Sequence, residues 1–201
     1  VQNAARLRQL GFAVKRRHCS DDPEEIAREM RELLAECDAV ITSGGVSVGQ
    51  KDYLPAVLEQ LNADILFAGV AQKPGSPMLA GKVGGKLVFC LSGNPFAAAA
   101  TLEQYAVPAL LRAAGRCEES CLLPRTTRTL TTGFSKPSKG NRYLRARASG
   151  GTVAIPGEGN TEAHSSGSLS AMIGCNSLVE LPAGSGPVEP GEEGEVLSFV
   201  Y

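Results

Sequence analysis

The sequence lacks three features that would each point to a different class of protein: a long hydrophobic run, a CxxC cysteine pair and an excess of charge of one sign. Without an apolar stretch of about 18 residues or more, no transmembrane helix is predicted, and no signal peptide is visible. A net charge of −1 gives no reason to expect a polyanion as partner. We therefore expect neither nucleic acid nor a membrane as partner.

Six cysteines stand at positions 19, 37, 90, 117, 121 and 175. We interpret them as buried free thiols of a protein in a reducing cytoplasm, where disulfides are rare. The spacing of Cys117 and Cys121 allows them to share one helix face, but a metal site there would need further ligands.

The composition divides the chain into two parts. The first part, 1–116, alternates strand-like runs with helical segments, which predicts an α/β domain. After Arg116, Gly, Ser, Thr and Pro become frequent and long apolar helices vanish. Short β-like runs at 143–148, 152–155, 177–181 and 195–200 predict a small barrel or sandwich over 117–201.

The segment 38–52 is the most informative one. An apolar run typical of a buried strand, 39–41, turns into hydroxyls and glycines from Thr42 to Gly45. Because glycine has no Cβ, backbone N–H groups of such a turn can converge on an anion such as phosphate. With Asp52 just before the next helical segment, amides and a carboxylate would lie at the carboxyl end of a strand, where open α/β sheets bind ligands. Two simpler interpretations stay open: the glycines form only a tight turn, and Asp52 only favours the positive end of that helix.

The same pattern recurs at 87–95, where an apolar strand precedes Ser92-Gly93-Asn94-Pro95 and a helix that runs to Leu111. Pro108 should kink or divide this helix, and Gly115 should end it. Between the two copies, segment 73–77 forms a stiff turn. Its Lys73 supplies a point charge for phosphate, unless it is an ordinary surface lysine. Residues 83–86 predict a hairpin turn.

The N-terminal region contains two predicted helices and the acidic residues Asp21 and Asp22. Residues 1–10 predict a helix, with a strand beginning at Phe12. Asp22 is predicted as the N-cap of the next helix, with Pro23 at its first position and Glu25 as the far half of a capping box. Asp21 has no such duty, and we expect it to face the ligand crevice.

Three motifs in this order, 42–49 with Asp52, Lys73-Pro-Gly-Ser-Pro77 and Leu91-Ser-Gly-Asn-Pro95, resemble the molybdopterin molybdenumtransferase family, which includes the gephyrin E-domain. The resemblance covers the whole chain but only the C-terminal half of a family member, so Val1 would lie inside a domain whose first strand is absent. It implies a three-layer α/β/α molybdopterin-binding domain over 1–116, truncated at its N-terminus, followed by a small all-β domain over 117–201.

The resemblance also implies a reaction, the last assembly step of molybdenum cofactor. Adenylylated molybdopterin would bind in the crevice, molybdate would be inserted at the dithiolene, and AMP would be released. Asp21, Asp52 and Lys73 would be catalytic, and Asp21 and Asp52 would hold a divalent cation, Mg²⁺, through hard oxygen ligands. The implied molybdopterin-binding positions are Thr42, Ser43, Gly44, Gly45, Ser47, Gly49, Gly75, Gly93, Asn94 and Pro95.

The sequence departs from the family pattern at three positions. Gly69 and Ser76 stand where the family usually has lysines, and Ser92 replaces a proline. Two fewer positive charges should weaken binding of a dianion, since a charge-assisted contact contributes roughly 1.5–3 kcal/mol. Two other functions therefore stay open: a module that binds molybdopterin or a nucleotide without chemistry, and a gephyrin-like interaction scaffold.

The family also suggests partners. We expect a homodimer, and molybdopterin adenylyltransferase or acceptor molybdoenzymes as protein partners, with this chain inactive when alone.

Five arginines make the β-rich part locally basic: Arg125, Arg128, Arg142, Arg145 and Arg147. They predict a solvated strand face, with phosphate binding as the alternative. His164 is predicted to be an ordinary loop residue.

Overall fold

The computed structural model describes residues 1–46, 53–157 and 170–199. Backbone packing divides the chain into two compact units, of which the first joins Val1–Val70 to Gly75–Asn94 and the second joins Ala71–Pro74 to Pro95–Tyr201. The α/β part followed by a small β part confirms the predicted fold class. The division into 1–116 and 117–201 stays a prediction.

In chain order the helices are α1 (Gln2–Gln9), α2 (Pro23–Glu36), α3 (Leu54–Gln60), α4 (Pro95–Thr101) and α5 (Val107–Ala113). The strands are β1 (Ala39–Ser43), β2 (Asp64–Ala68), β3 (Gln72–Lys73), β4 (Leu79–Val83), β5 (Lys86–Leu91), β6 (Arg125–Leu130), β7 (Asn141–Ser149), β8 (Thr152–Ala154), β9 (Ser177–Leu181) and β10 (Glu193–Ser198). No helix within the described ranges is long and apolar enough to cross a bilayer.

The first unit contains a four-stranded sheet in the order β1-β5-β4-β2. β1 and β5 are parallel, so that Ser43 lies beside Leu91 where both strands end. β5, β4 and β2 pair antiparallel. The hairpin predicted at 83–86 is confirmed, since Val83 pairs with Lys86 across the β4–β5 turn. The parallel pair therefore delivers the two glycine motifs to the same edge of the sheet.

Helices α2 and α3 cover one face of this sheet. The apolar stripe of α2 places every third or fourth side chain inward, and alternate residues of β5 meet it. The shared core contains Ala27, Met30, Leu34, Val40, Val46, Leu54, Val57, Leu58, Leu79, Val88 and Cys90.

The start of α2 follows the prediction in most respects. The Asp22 carboxylate accepts a hydrogen bond from the Glu25 N–H at 2.8 Å, and Pro23 is the first helical residue. Glu25 is not the reciprocal half of a capping box with Asp22, because its carboxylate accepts from the Ser20 hydroxyl and backbone N–H instead. The strand predicted from Phe12 is wrong: the Phe12 N–H donates to the Leu7 carbonyl at 3.0 Å and so caps α1.

The second unit is built on a closed barrel. β7, β8, β6, β10 and β9 pair in sequence, and β9 pairs again with β7 to close the ring. This closure confirms the predicted small barrel. β6 and the short β3 were not predicted, and β3 joins β7 in parallel. The barrel interior contains Leu130, Phe134, Leu144, Ala146, Val153, Ile155, Val179, Leu181 and Val196.

The helix after Pro95 packs on the outside of this barrel, and it is divided as predicted. α4 and α5 are joined by a π-helical turn, Leu102–Ala106, which ends two residues before Pro108. Proline has no N–H and clashes with the carbonyl four residues earlier, so a wider turn accommodates it. Phe96 and Ala100 of α4 bury their side chains against Tyr143, Leu178 and Leu197.

Candidate functional site

The carboxyl ends of β1 and β5 form the centre of the candidate site. The Gly44 N–H donates to the Leu91 carbonyl at 2.9 Å, which extends the parallel pairing by one residue beyond β1. Gly44 and Gly45 then both adopt positive φ, 96° and 71°, a region that other residues enter only with strain. The chain needs glycine at both positions to leave the strand in this direction.

The second glycine loop touches the first. A Cβ built on Gly93 would lie 3.3 Å from the Gly44 Cα, a distance tighter than nine in ten real Cβ contacts. Beside Gly93, the Ser92 hydroxyl accepts a hydrogen bond from the Asn94 N–H at 3.2 Å. We call the described residues at this point, Thr42, Ser43, Gly44, Gly45, Gly93 and Asn94, the glycine-loop site.

Not every glycine amide at this site is available to an anion. The Gly44 N–H is committed to Leu91, and the Gly45 carbonyl accepts from the Leu54 N–H at 3.3 Å where α3 begins. Gly44 would therefore serve a ligand through close approach of its backbone rather than as a hydrogen-bond donor. The missing side chain of Gly93 lets the two loops approach each other, whereas a Cβ on Gly44 would meet nothing within 4 Å.

Thr42 carries an unsatisfied group at the end of β1. Its Oγ1 is buried and has no hydrogen-bond partner of normal geometry among the described residues. Cys90 lies beside it on β5. Burial raises the pKa of the Cys90 thiol to about 11, against a smaller lowering by the Thr42 hydroxyl. Cys90 therefore stays protonated. A ligand would reach Thr42 Oγ1 only if this end of β1 moved, because the atom is buried.

Of the two acidic residues of the predicted site, the structure describes only Asp21. Asp21 is exposed and directly precedes the N-cap of α2, whereas Ser47, Gly49 and Asp52 lie outside the described residues. Within residues 1–46, 53–157 and 170–199, no three His, Cys, Asp or Glu side chains form a group that could hold a metal ion. The described residues do not make the predicted magnesium site by themselves, so we derive no chemistry through magnesium.

Lys73 belongs to the second unit, where it lies beside a second cation. β3 pairs with β7 so that Lys73 is the neighbour of Arg142, and the Lys73 side chain is exposed. Two contacts hold the Arg142 side chain. Its Nε donates to the Ser138 hydroxyl at 3.3 Å, and its guanidinium lies 5.3 Å from the centre of the Phe134 ring. We call these two residues the Lys73–Arg142 pair.

The other arginines of the barrel have mostly structural partners. Arg125 pairs with Glu180 at 2.6 Å and with Glu195 at 3.4 Å, and Arg147 donates to the Ile173 carbonyl at 2.8 Å. The prediction of a solvated face is wrong for Arg145, which is only 3% exposed and lies 4.6 Å from the Phe96 ring centre. Arg142 was predicted only as one of five, because its cross-strand neighbour Lys73 is far from it in the sequence.

The segment between β2 and β4 forms a closed loop around Gly75. The Gly69 N–H donates to the Met78 carbonyl at 2.6 Å, and the Val70 N–H donates to the Ser76 carbonyl at 3.0 Å. Gly69 has φ +88°, so a lysine in this conformation would be strained. Ser76 is exposed. Gly75 lies in this loop, Pro95 is the first residue of α4, and the roles assigned to both stay predictions.

Comparison with protein families agrees with this geometry. The family described as "Probable molybdopterin binding domain" matches residues 4–112, and the family described as "MoeA C-terminal region (domain IV)" matches residues 127–199. The first match covers more than half of the chain.

Individual relatives give the same result. Proteins named molybdopterin molybdenumtransferase from Staphylococcus aureus and Staphylococcus epidermidis are 35% identical over 181 residues and 36% identical over 180 residues, in each case 88% of this chain and 42% of the relative. The crystal structure titled molybdopterin biosynthesis moea protein from Pyrococcus horikosii superposes with a TM-score of 0.73 at 28% identity, over 90% of this chain and 42% of that one. The chain thus spans about two fifths of the length of these relatives.

Proposed function

Because the chain belongs to the molybdopterin molybdenumtransferase family, we propose that the whole protein inserts molybdate into adenylylated molybdopterin and releases AMP. The observation that carries this proposal is the contact of the two glycine loops, where Gly93 approaches Gly44 at the ends of two parallel strands. Ligands of open α/β sheets bind at such a place. Glycine has no Cβ, so phosphate groups can approach the main chain of such a loop closely.

Two groups of residues have separate tasks in this proposal. The glycine-loop site binds and orients the adenylylated pterin. The Lys73–Arg142 pair neutralises an oxyanion, either a phosphate or molybdate, through charge-assisted hydrogen bonds. Asp21 and Asp52 are the carboxylates that we propose as Mg²⁺ ligands, because Mg²⁺ prefers hard oxygen ligands.

The context of the reaction is also part of the proposal. We propose a homodimer that works in the cytoplasm and exchanges its substrate or product with molybdopterin adenylyltransferase and acceptor molybdoenzymes. Because the chain spans 42% of its relatives, we propose that it does not transfer molybdenum without the rest of such a protein.

A second function, binding of molybdopterin without transfer, is favoured by one observation. At two positions where the family usually has lysines, this chain has Gly69 and Ser76. Gly69 has a positive φ in which any other residue would be strained, and Ser76 is exposed and uncharged. For the scaffold function we find no comparable support. Among the described residues of the second unit, the large exposed hydrophobic side chains are Leu122 and Ile173.

A variant that lacks the charge of Asp52 distinguishes molybdenum transfer from pterin binding without transfer. In the full-length protein, Asp52→Asn keeps the size of the side chain and removes its charge. We expect molybdenum transfer to fall by one or more orders of magnitude, with pterin binding and melting temperature nearly unchanged.

Asp22→Asn is the matched control, because it removes the same charge thirty residues away while asparagine still caps α2. It should leave transfer and stability close to wild type. Near-normal transfer by Asp52→Asn would remove this residue from the site and favour the binding module.

A further inference from the structure

The side-chain amide of Gln72 links two segments of the second unit. It accepts a hydrogen bond at Oε1 from the Tyr105 hydroxyl at 2.7 Å, and its Nε2 donates to the Pro74 carbonyl at 3.1 Å. Gln72 is 6% exposed. A buried amide satisfied at both ends resists displacement, since loss of either partner leaves a desolvated polar group. Gln72 therefore ties the chain on both sides of Lys73 to the helix that carries Tyr105.

The strand that contains Lys73 is too short for backbone pairing alone to hold its position. β3 has two residues, and its pairing consists of Gln72 beside Asn141 and Lys73 beside Arg142. So short a strand has little backbone pairing to fix its register. The position of Lys73 relative to Arg142 thus depends on what Gln72 holds.

The π-helical turn supplies the other half of this contact. Tyr105 lies within Leu102–Ala106, and an extra residue in one turn rotates the following side chains by about 100° relative to an uninterrupted α-helix. Such turns occur frequently at functional sites. Burial, followed by the nearby Glu180 charge, raises the pKa of Tyr105, which keeps its hydroxyl available as a donor.

We propose that Gln72 and Tyr105 are positioning residues that hold Lys73 beside Arg142, so that the two cations bind one tetrahedral oxyanion of the substrate together. This inference rests on the proposed function and extends it to residues that do not touch the substrate. Neither residue belongs to the motifs that indicate the family. The pair acts through geometry: two cations at fixed separation bind a multivalent anion more tightly than a single mobile lysine does.

The test is a titration of this chain with inorganic phosphate and with molybdate, read from the NMR amide shifts of Lys73 and Arg142. Tyr105→Phe keeps the ring and removes the donor, and Gln72→Met keeps the length of the side chain and removes both polar ends. We expect either variant to weaken phosphate and molybdate binding by three- to tenfold. The double variant should bind no more weakly than the weaker single one, because both remove the same interaction.

Tyr143→Phe is the matched control, since it removes a hydroxyl that donates to Glu180 in the same unit without touching Gln72. It should leave both affinities unchanged. Lys73→Ala tests the anion site itself: wild-type binding by this variant would overturn the proposed use of Lys73, and with it this inference. If Lys73→Ala weakens binding but Tyr105→Phe and Gln72→Met do not, the anion site stands and the positioning role is overturned.

Discussion

A Cβ on Gly93 would lie 3.3 Å from the Cα of Gly44, so the loops that follow β1 and β5 meet with no side chain between them. The two glycines are 49 positions apart in the sequence. Parallel pairing brings them together, because Ser43 and Leu91 end their strands side by side. This contact gives the motifs a structural reason beyond turn formation, and it is open to a direct test.

Gly93→Ala should disturb the glycine-loop site with little direct backbone strain, because the φ of Gly93 lies outside the left-handed range. The added methyl forces Gly44 to move by a few tenths of an ångström. We expect a loss of about 1 kcal/mol in unfolding free energy and a several-fold weaker affinity for adenylylated molybdopterin, measured by denaturant titration and calorimetry. Gly186→Ala, where a Cβ meets nothing within 4 Å, should change neither. If Gly93→Ala binds the pterin normally, the loop contact is only structural.

Gly45→Val is a less informative change than Gly93→Ala. Gly45 has φ +71°, and its Cβ would lie 3.4 Å from Leu54 Cδ1. A β-branched residue in that conformation is strained, so any lost affinity would be mixed with lost stability.

Ser76→Lys should return one of the two charges that this chain lacks. Ser76 is exposed, so the lysine costs little to accommodate. We expect molybdate affinity to rise roughly threefold to tenfold at low salt, which is less than a desolvated charge-assisted contact provides, and the gain to shrink in 0.5 M salt. Ser149→Lys adds the same charge at an exposed position of β7 and should give no comparable gain. Equal effects of the two variants would mean that net charge alone is responsible.

Cys117 should be the most reactive thiol. It is exposed, contrary to the expectation that the cysteines are buried, and the hydrogen bond between its Sγ and the neighbouring Ser120 hydroxyl lowers its pKa, which increases the thiolate fraction. Cys90 is buried with a pKa of about 11 and should react last. With iodoacetamide at pH 7.5 and peptide mass spectrometry, we expect Cys117 to be labelled first and Ser120→Ala to slow its labelling severalfold. Unchanged labelling in Ser120→Ala would assign the reactivity to exposure alone.

Tyr143 should make the barrel sensitive to alkaline pH. Burial, together with the hydrogen bond to Glu180, raises the pKa of Tyr143 from its ordinary value of 10 to about 12. Between these values the unfolded chain releases a proton that the folded protein retains, so the stabilisation present below pH 10 is lost as pH rises toward 12. The difference in unfolding free energy between wild type and Tyr143→Phe should shrink across this range by on the order of 1 kcal/mol, after solvent screening. A constant difference measured by denaturant titration would contradict this assignment.

Features that depend on neighbours along the chain were predicted well. Asp22 caps α2 and Pro23 begins it, because these effects involve groups only a few residues apart. The hairpin at 83–86, the division of the helix before Pro108 and the exit of the chain through Gly44 and Gly45 have the same local origin. The capping role of Glu25 was wrong because the Ser20 hydroxyl and N–H compete for its carboxylate.

Features that depend on distant segments were missed or predicted only as a group. Arg145 was expected in solvent, but α4 covers it and places the Phe96 ring over its guanidinium. Arg142 gains its partner from β3, and Tyr105 gains its partner through the π-helical turn. No spacing in the sequence records these contacts, since the residues involved are separated by tens of positions.

The sequence by itself determined the fold class, because periodicity, caps and glycine turns depend on short segments of the chain. The order of its three motifs carried the resemblance to the family. Tertiary structure alone decided that Gly44 and Gly93 touch, that the Gly44 amide is committed to Leu91, and that Lys73 has a second cation beside it. The physical reason is that strand pairing and barrel closure select which distant residues become neighbours. A side chain's charge and hydrogen bonds acquire a function only once those neighbours are in place.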